Sequence, residues 1–325
     1  MSDKDKKIKQ HLMDANAIFE REKIIAPISP MLDIALDKGI LDGTFTCLAG
    51  PPGLGKTLLA LSIVAEFQKP QYEINGPRTT YFYNIENRLK ERDLKGIKGL
   101  DYSPERFKVI GSVEGAMLNA EQFLEIGESL LVEHPYSIHV FDSFSALCTE
   151  AEMTAGMADM QRADGAKLLY KFCRKIAQIV KVNRNLVIGI NHIMGNPSGK
   201  GSETKEKGGY ATQYFADIKL IGKYFEMIKD SKEEPIGQTI HWVTTKTAGG
   251  VPPGKKVTNI IRFGEGIDRA MEVAQLGVEL SIITQKGAWY SYGERKWQGQ
   301  EKMRDAIVND QNLYDELLDK VKGMI

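Results

Sequence analysis

Residues Gly50-Pro51-Pro52-Gly53-Leu54-Gly55-Lys56-Thr57 match G-x-x-x-x-G-K-[ST], a loop whose backbone amides wrap phosphate oxygens. The flanks give the motif its meaning. Phe45 to Ala49 is an apolar run that reads as a buried strand, and Leu58 to Phe67 reads as a helix. A helix N-terminus presents unpaired N–H groups and positive potential to an anion. Lys56 is expected to reach the β- and γ-phosphates and Thr57 to bind the magnesium ion. The alternative is a chance glycine-rich turn, which has no need of both a strand and a helix around it. The chain is therefore expected to hold a nucleoside triphosphate with Mg2+ on an α/β core.

At 325 residues the chain can build one large core and a small additional domain. Its 43 basic and 43 acidic residues cancel. A polyanion must then be met by local patches rather than by a global field. Cys47, Cys148 and Cys173 are odd in number and flanked by apolar residues. They read as small core residues of a reducing compartment, with no disulfide frame and no zinc spacing. No apolar run approaches a membrane span and the N-terminus is charged rather than signal-like. These features predict a cytoplasmic protein without a membrane partner.

Residues 5–22 pattern as a helix with Ile8, Leu12, Ala15 and Phe19 on one stripe. The stripe docks either on its own domain or on a neighbouring subunit. Ile24 to Ala26 reads as extended and Met31 to Asp37 as a short helix. Strands are expected over Thr79–Glu86, Phe107–Ile110, Tyr136–Phe141, Leu186–Ile190, Tyr214–Ile221, Gln238–Thr245 and Val257–Phe263. Helices are expected over Glu121–Glu133 and Gln161–Val182, the second with Leu168, Leu169, Phe172, Ile176, Ile179 and Val180 facing the core. This alternation predicts an α/β core with a mostly parallel sheet. From Asp268 the texture turns to helix, hairpin and helix, a small α+β C-terminal domain. The division is thus 1–26, 27–267 and 268–325. Two stretches read as loops that emerge near the nucleotide. One is Thr149–Met160, with Met153, Met157 and Met160. The other is Gly195–Gly209, with Lys200, Lys205 and Lys207.

Hydrolysis needs a metal ion, an oriented water and charge neutralisation. Asp142 ends the apolar run Ile138-His139-Val140-Phe141 and reads as the carboxylate of the magnesium shell; the bland reading is a turn-capping Asp. Glu86 closes a strand and either takes a proton from attacking water or is a solvated charge among Asn87, Arg88, Lys90, Glu91 and Arg92. His192 closes another strand just before the second loop. It reads as a γ-phosphate sensor or as a satisfied structural histidine.

The sequence resembles the RecA family of bacterial DNA strand-exchange ATPases and, nearest in type, its phage UvsX-like branch. The resemblance runs from Pro27 to the C-terminus. It rests on Leu32-Asp33-Ile34-Ala35-Leu36, on Asp142-Ser143, Ala146-Leu147 and Ala151-Glu152, and on Gly208-Gly209 with Tyr214, Phe215 and Ala216. Most specific are Gly264-Glu265-Gly266-Ile267 and Gly287-Ala288-Trp289-Tyr290-Ser291-Tyr292. The resemblance implies a RecA-type core with an N-terminal oligomerisation helix, ATP and Mg2+ as cofactors, and Glu86 as the catalytic glutamate. It implies that Met153, Met157, Lys200, Lys205, Lys207, Gly208 and Gly209 lie in two DNA-binding loops. Lys246 resembles a lysine that reaches the neighbouring subunit's γ-phosphate, with Thr244 where the family has a second lysine. His192 stands where the bacterial proteins carry glutamine and the UvsX-type proteins histidine. The implied partners are single-stranded DNA, homologous duplex DNA, further copies in a helical filament, and single-strand-binding and mediator proteins. The family's acidic tail has no counterpart before Ile325. Lys286, Arg295, Lys296, Lys302 and Arg304 then read either as an unmasked duplex-capturing surface or as ordinary solvated charges. The function implied is ATP-dependent homologous pairing and strand exchange. The rival functions are a ring helicase with the same core and an ATP switch that loads another recombinase.

Overall fold

The computed structural model describes residues 23–74, 76–156, 164–195, 204–206, 210–248 and 250–324. The expected helix at 5–22, with Ile8, Leu12, Ala15 and Phe19, lies outside them. So do Met157, Met160, Lys200, Lys207, Gly208 and Gly209. Among the described residues no helix is long and apolar enough to cross a membrane.

Two short paired strands, β1 (Ile25–Ala26) and β2 (Ile40–Leu41), bracket helix α1 (Pro30–Ala35). Ser29 caps α1 by accepting the Leu32 amide, and Pro30 supplies the preset φ of a first helical position. The core then alternates: β3 (Phe45–Gly50), α2 (Lys56–Phe67), β4 (Thr80–Asn84), α3 (Glu91–Lys95), β5 (Phe107–Ile110), α4 (Ala120–Glu133), β6 (Ile138–Asp142), α5 (Glu150–Thr154), α6 (Asp164–Val182), β7 (Leu186–Gly195), β8 (Thr204–Glu206), α7 (Ala211–Phe215), β9 (Ile218–Lys229), β10 (Pro235–Lys246), β11 (Lys256–Arg262) and β12 (Gly266–Ile267). The main sheet runs β12-β11-β10-β9-β3-β7-β6-β4-β5, with β8 paired to β7. From β9 to β5 the neighbours are parallel, and β9 to β12 add an antiparallel wing.

Side chains alternate across this sheet because a strand repeats every two residues. Leu48 faces the layer of α2, whereas Phe45, Cys47 and Ala49 face the layer of α4 and α6. Helix α2 is apolar around most of its circumference and is buried accordingly. Helix α6 keeps one stripe inward: Leu169, Phe172, Ile176 and Val180 are buried, with Leu168 and Ile179 at the margin.

The C-terminal unit is α8 (Arg269–Glu279), an antiparallel sheet β13 (Thr284–Lys286), β14 (Trp289–Tyr292) and β15 (Arg295–Gln298), then α9 (Gln300–Asn309) and α10 (Gln311–Met324). Its own core gathers Val273, Ala274, Ile283, Tyr290, Met303, Leu313 and Leu317. A seam of buried groups joins it to the rest. The Glu272 carboxylate accepts from Ser29 Oγ at 2.5 Å and from the amides of Met31 at 3.2 Å and Ile260 at 2.8 Å. Asp268 Oδ2 accepts from Arg262 and Arg304, both at 2.8 Å.

Several expectations change. The strand expected at Tyr214–Ile221 begins only at Ile218, and residues 211–215 are helical. A short apolar run does not distinguish the two states. Asp217 decides here, since its carboxylate accepts the Phe45 amide at 3.0 Å and ends the turn beside β3. The strand expected to end at Glu86 stops at Asn84. Thr149 caps helix α5 within the first expected loop, and Thr204–Glu206 of the second pairs with Ile193–Gly195. Cys148 is exposed, unlike Cys47 and Cys173. Arg304 is buried in the Asp268 network with Glu265 at 2.6 Å, and Arg295 pairs with Asp310 at 3.1 Å. These two arginines are therefore engaged with acidic neighbours rather than unmasked.

Candidate active site

The carboxyl ends of β3, β4, β6 and β7 meet, where a parallel sheet opens to ligands. Gly50 at the end of β3 is in register with His192 of β7. Asp142 at the end of β6 is in register with Asn84. The next two amides, Ile85 and Glu86, both donate to the Asp142 carbonyl, at 3.0 and 3.2 Å. That fork lifts Glu86 off the strand and sets it over the end of β6.

The loop from Gly50 to Thr57 carries glycine where the backbone requires it. Gly55 has φ +88°, and a Cβ there stands 2.6 Å from Gln238 Nε2. That amide donates to the Leu54 carbonyl at 2.9 Å and holds the loop from the side. Lys56 is only 5% exposed. Its ammonium donates to the carbonyls of Gly50 at 3.0 Å and Pro51 at 2.7 Å. Burial lowers its pKa from 10.5 to about 8, against the opposing pull of Asp142 and Glu86. The Lys56 ammonium thus caps the loop it belongs to, in the place of a cation that awaits phosphate.

Thr57 Oγ1 donates to Asp142 Oδ2 at 2.8 Å. Burial pushes the Asp142 carboxyl up, while that hydrogen bond and Lys56 pull it down. Among the described residues no group of three or more His, Cys, Asp or Glu converges as a metal site. A hydroxyl and one carboxylate nevertheless fit magnesium, which keeps several waters and takes further oxygens from phosphate. The glycine cradle, the capping lysine and this oxygen pair together fit ATP with Mg2+.

Glu86 Oε1 accepts from Ser143 Oγ at 2.5 Å and from His192 Nε2 at 2.8 Å, and Arg88 lies 3.3 Å from Oε2. Burial raises the Glu86 carboxyl, but the two hydrogen bonds and the nearby charges outweigh it and hold the pKa below the ordinary value. Of the expected catalytic residues, Lys56, Glu86 and His192 therefore stand together with Thr57 and Asp142. Lys246 does not join this cluster through any described bond; at the end of β10 it donates to the Tyr214 carbonyl at 2.9 Å. Met153 is exposed on α5, and Lys205 lies on β8 opposite Met194. Sequence reasoning missed Ser143, Ser145, Arg88 and Gln238. Ser143 adjoins Asp142, so a hydroxyl next to the strand-end carboxylate was a usable signal. Gln238 carries none, since it reaches the loop from 184 residues away.

A family model described as the RecA N-terminal domain matches residues 15–268, and one described as the RecA C-terminal domain matches residues 271–325. Similar proteins, each named Protein RecA, include that of Sulfurimonas denitrificans, 32% identical over 312 residues, covering 93% of this chain and 86% of the relative. That of Nautilia profundicola is 31% identical over 314 residues, covering 94% and 85%. That of Oleidesulfovibrio alaskensis is 30% identical over 294 residues, covering 89% and 79%. With both domains matched in order across a nucleotide site of this geometry, the chain belongs to the RecA family.

Proposed function

We propose that Glu86 is the general base of the ATPase, that Ser143 and His192 hold it at rest, and that Lys56, Thr57 and Asp142 bind the nucleotide and its metal. The chain is an ATP-dependent homologous-recombination protein, a DNA-dependent ATPase that forms filaments on DNA and exchanges strands. The observation that carries the residue assignment is the shared oxygen Glu86 Oε1, bound by Ser143 and His192 beside the Thr57–Asp142 pair.

Magnesium, when bound, neutralises phosphate charge and polarises the terminal phosphoryl group. Lys56 turns its ammonium from the Gly50 and Pro51 carbonyls to the phosphates. Glu86 accepts the proton of the attacking water once a hydrogen bond to Oε1 is released. His192, on the strand that leads into the Gly195–Gly209 stretch, is the group that passes the phosphate's state to the second DNA loop. Lys246 acts on a neighbouring subunit's phosphate. Met153 and Met157 work from the first DNA loop, and Lys200, Lys205, Lys207, Gly208 and Gly209 from the second.

Residues 27–267 form the ATPase core, 268–325 the C-terminal domain and 1–26 an oligomerisation segment. Histidine at position 192 favours the UvsX-like phage branch, with single-strand-binding and mediator proteins as partners in a host cytoplasm. The test is strand exchange between a circular single strand and homologous linear duplex, with ATP and Mg2+, for the parent and Lys56→Ala. The parent gives joint molecules, and the variant, which lacks the phosphate-facing charge, gives neither turnover nor exchange. Undiminished turnover in Lys56→Ala places the nucleotide elsewhere.

A further inference from the structure

The strand register of β6 on β7 ends with Phe141 opposite Gly189. β7 continues past that point to Asn191 and His192, with β3 still beside it up to Gly50. On its other side the chain has turned away from β6, and the Ser145 hydroxyl stands against the strand at Asn191 and His192, just before β7 goes on to pair with β8. Ser145 Oγ accepts the His192 amide at 2.6 Å and donates to Asn191 Oδ1 at 2.6 Å. Both Ser145 and Asn191 are buried. Three consecutive residues are thus anchored to three targets. Ser143 binds the Glu86 carboxylate. Phe144 packs over Gly189 so closely that a Cβ there stands 2.3 Å from its ring. Ser145 clamps β7 at Asn191 and His192, ahead of its last three residues.

We infer that Ser145 is a positioning residue that holds His192 on Glu86 until DNA moves the end of β7. The inference rests on the assignment of Glu86 as the base. Both acceptor sites of Glu86 Oε1 are taken by Ser143 and His192 and Oε2 faces Arg88, so release of one donor opens an acceptor site for the attacking water. Ser143 is fully buried and sits beside the anchored Phe144. His192 sits three residues before the stretch assigned to the second DNA loop, on a strand whose outer side is secured by the Ser145 hydroxyl. Removal of that hydroxyl leaves the His192 amide without its partner and loosens the strand end. The Glu86 oxygen is then released without DNA.

The test is steady-state ATP turnover of Ser145→Ala with and without single-stranded DNA, with KM for ATP measured in both. DNA-free kcat is expected to rise about fivefold, the equivalent of one ordinary hydrogen bond. KM is expected to stay at the parent's value, since the described hydrogen bonds of Ser145 go to Asn191 and His192 and not to the phosphate loop. A purely structural role lowers both rates together or leaves them unchanged, and either result overturns the inference. If the alanine variant does not fold, Ser145→Cys fills the same space with a weak donor and carries the same expectation and the same contradiction. Glu86→Gln separates the two levels. Loss of turnover in that variant, with DNA-free kcat unraised in Ser145→Ala, overturns the clamp alone. Full turnover in Glu86→Gln overturns the base assignment itself.

Discussion

At Gly55 one missing side chain decides whether the loop closes. Its φ of +88° lies in the left-handed region, where an added Cβ costs about 1–2 kcal/mol. That Cβ also meets Gln238, which holds the Leu54 carbonyl. Gly55→Ala is therefore expected to raise KM for ATP and to lower the melting temperature by a few degrees, as equilibrium nucleotide binding and thermal unfolding measure. Affinity equal to the parent's would show that the loop tolerates the strain. The glycine-rich loop and the strand that ends at Asp142 were legible in sequence because each is a local pattern. The sharing of Glu86 Oε1 by Ser143 and His192 was not, because those residues lie 57 and 106 positions away and meet only through sheet register.

Between elements, the decisive contacts are at the seam of α1, β11 and α8. Glu272 is wholly buried there, and burial pushes its carboxyl from 4.5 up to about 8 despite three donors. Asp33 nearby is raised from 3.8 to about 7 by burial, against the amides of Ile28 and Ser29. Both groups hold a proton in the fold at a pH where the unfolded chain has lost it. Their contribution is full below the unfolded values and falls as pH rises towards the folded ones. The melting temperature is accordingly expected to drop between about pH 5 and about pH 8, and Glu272→Gln to make that drop shallower. An equal slope in parent and variant would assign the dependence elsewhere. The order of strands and helices was readable from periodicity, and the C-terminal unit from its change of texture. The α7 helix was not, because Tyr214 to Ala216 is too short to carry a period, and a side-chain bond from Asp217 to the head of β3 settles its state.

At the scale of the whole molecule, the function depends on copies meeting on DNA. If residues 1–22 form the oligomerisation helix, their deletion leaves a folded core that no longer forms filaments, as electron microscopy on single-stranded DNA shows. Filaments of parental length would instead place the Ile8, Leu12 and Phe19 stripe on its own domain. The family assignment was legible because the strings at Gly264 and Gly287 have no generic ATPase role. The partners of two C-terminal arginines, Asp268 and Glu265 for Arg304 and Asp310 for Arg295, were not legible because they are brought to them only by folding. The most direct measurement of the catalytic claim is Glu86→Gln, assayed for DNA-stimulated ATP turnover and for the lifetime of its complex with single-stranded DNA. Removal of the base while keeping its shape is expected to slow turnover about a hundred- to ten-thousand-fold and to lengthen the DNA complex in ATP. Turnover at the parental rate would contradict the assignment of Glu86 as the base.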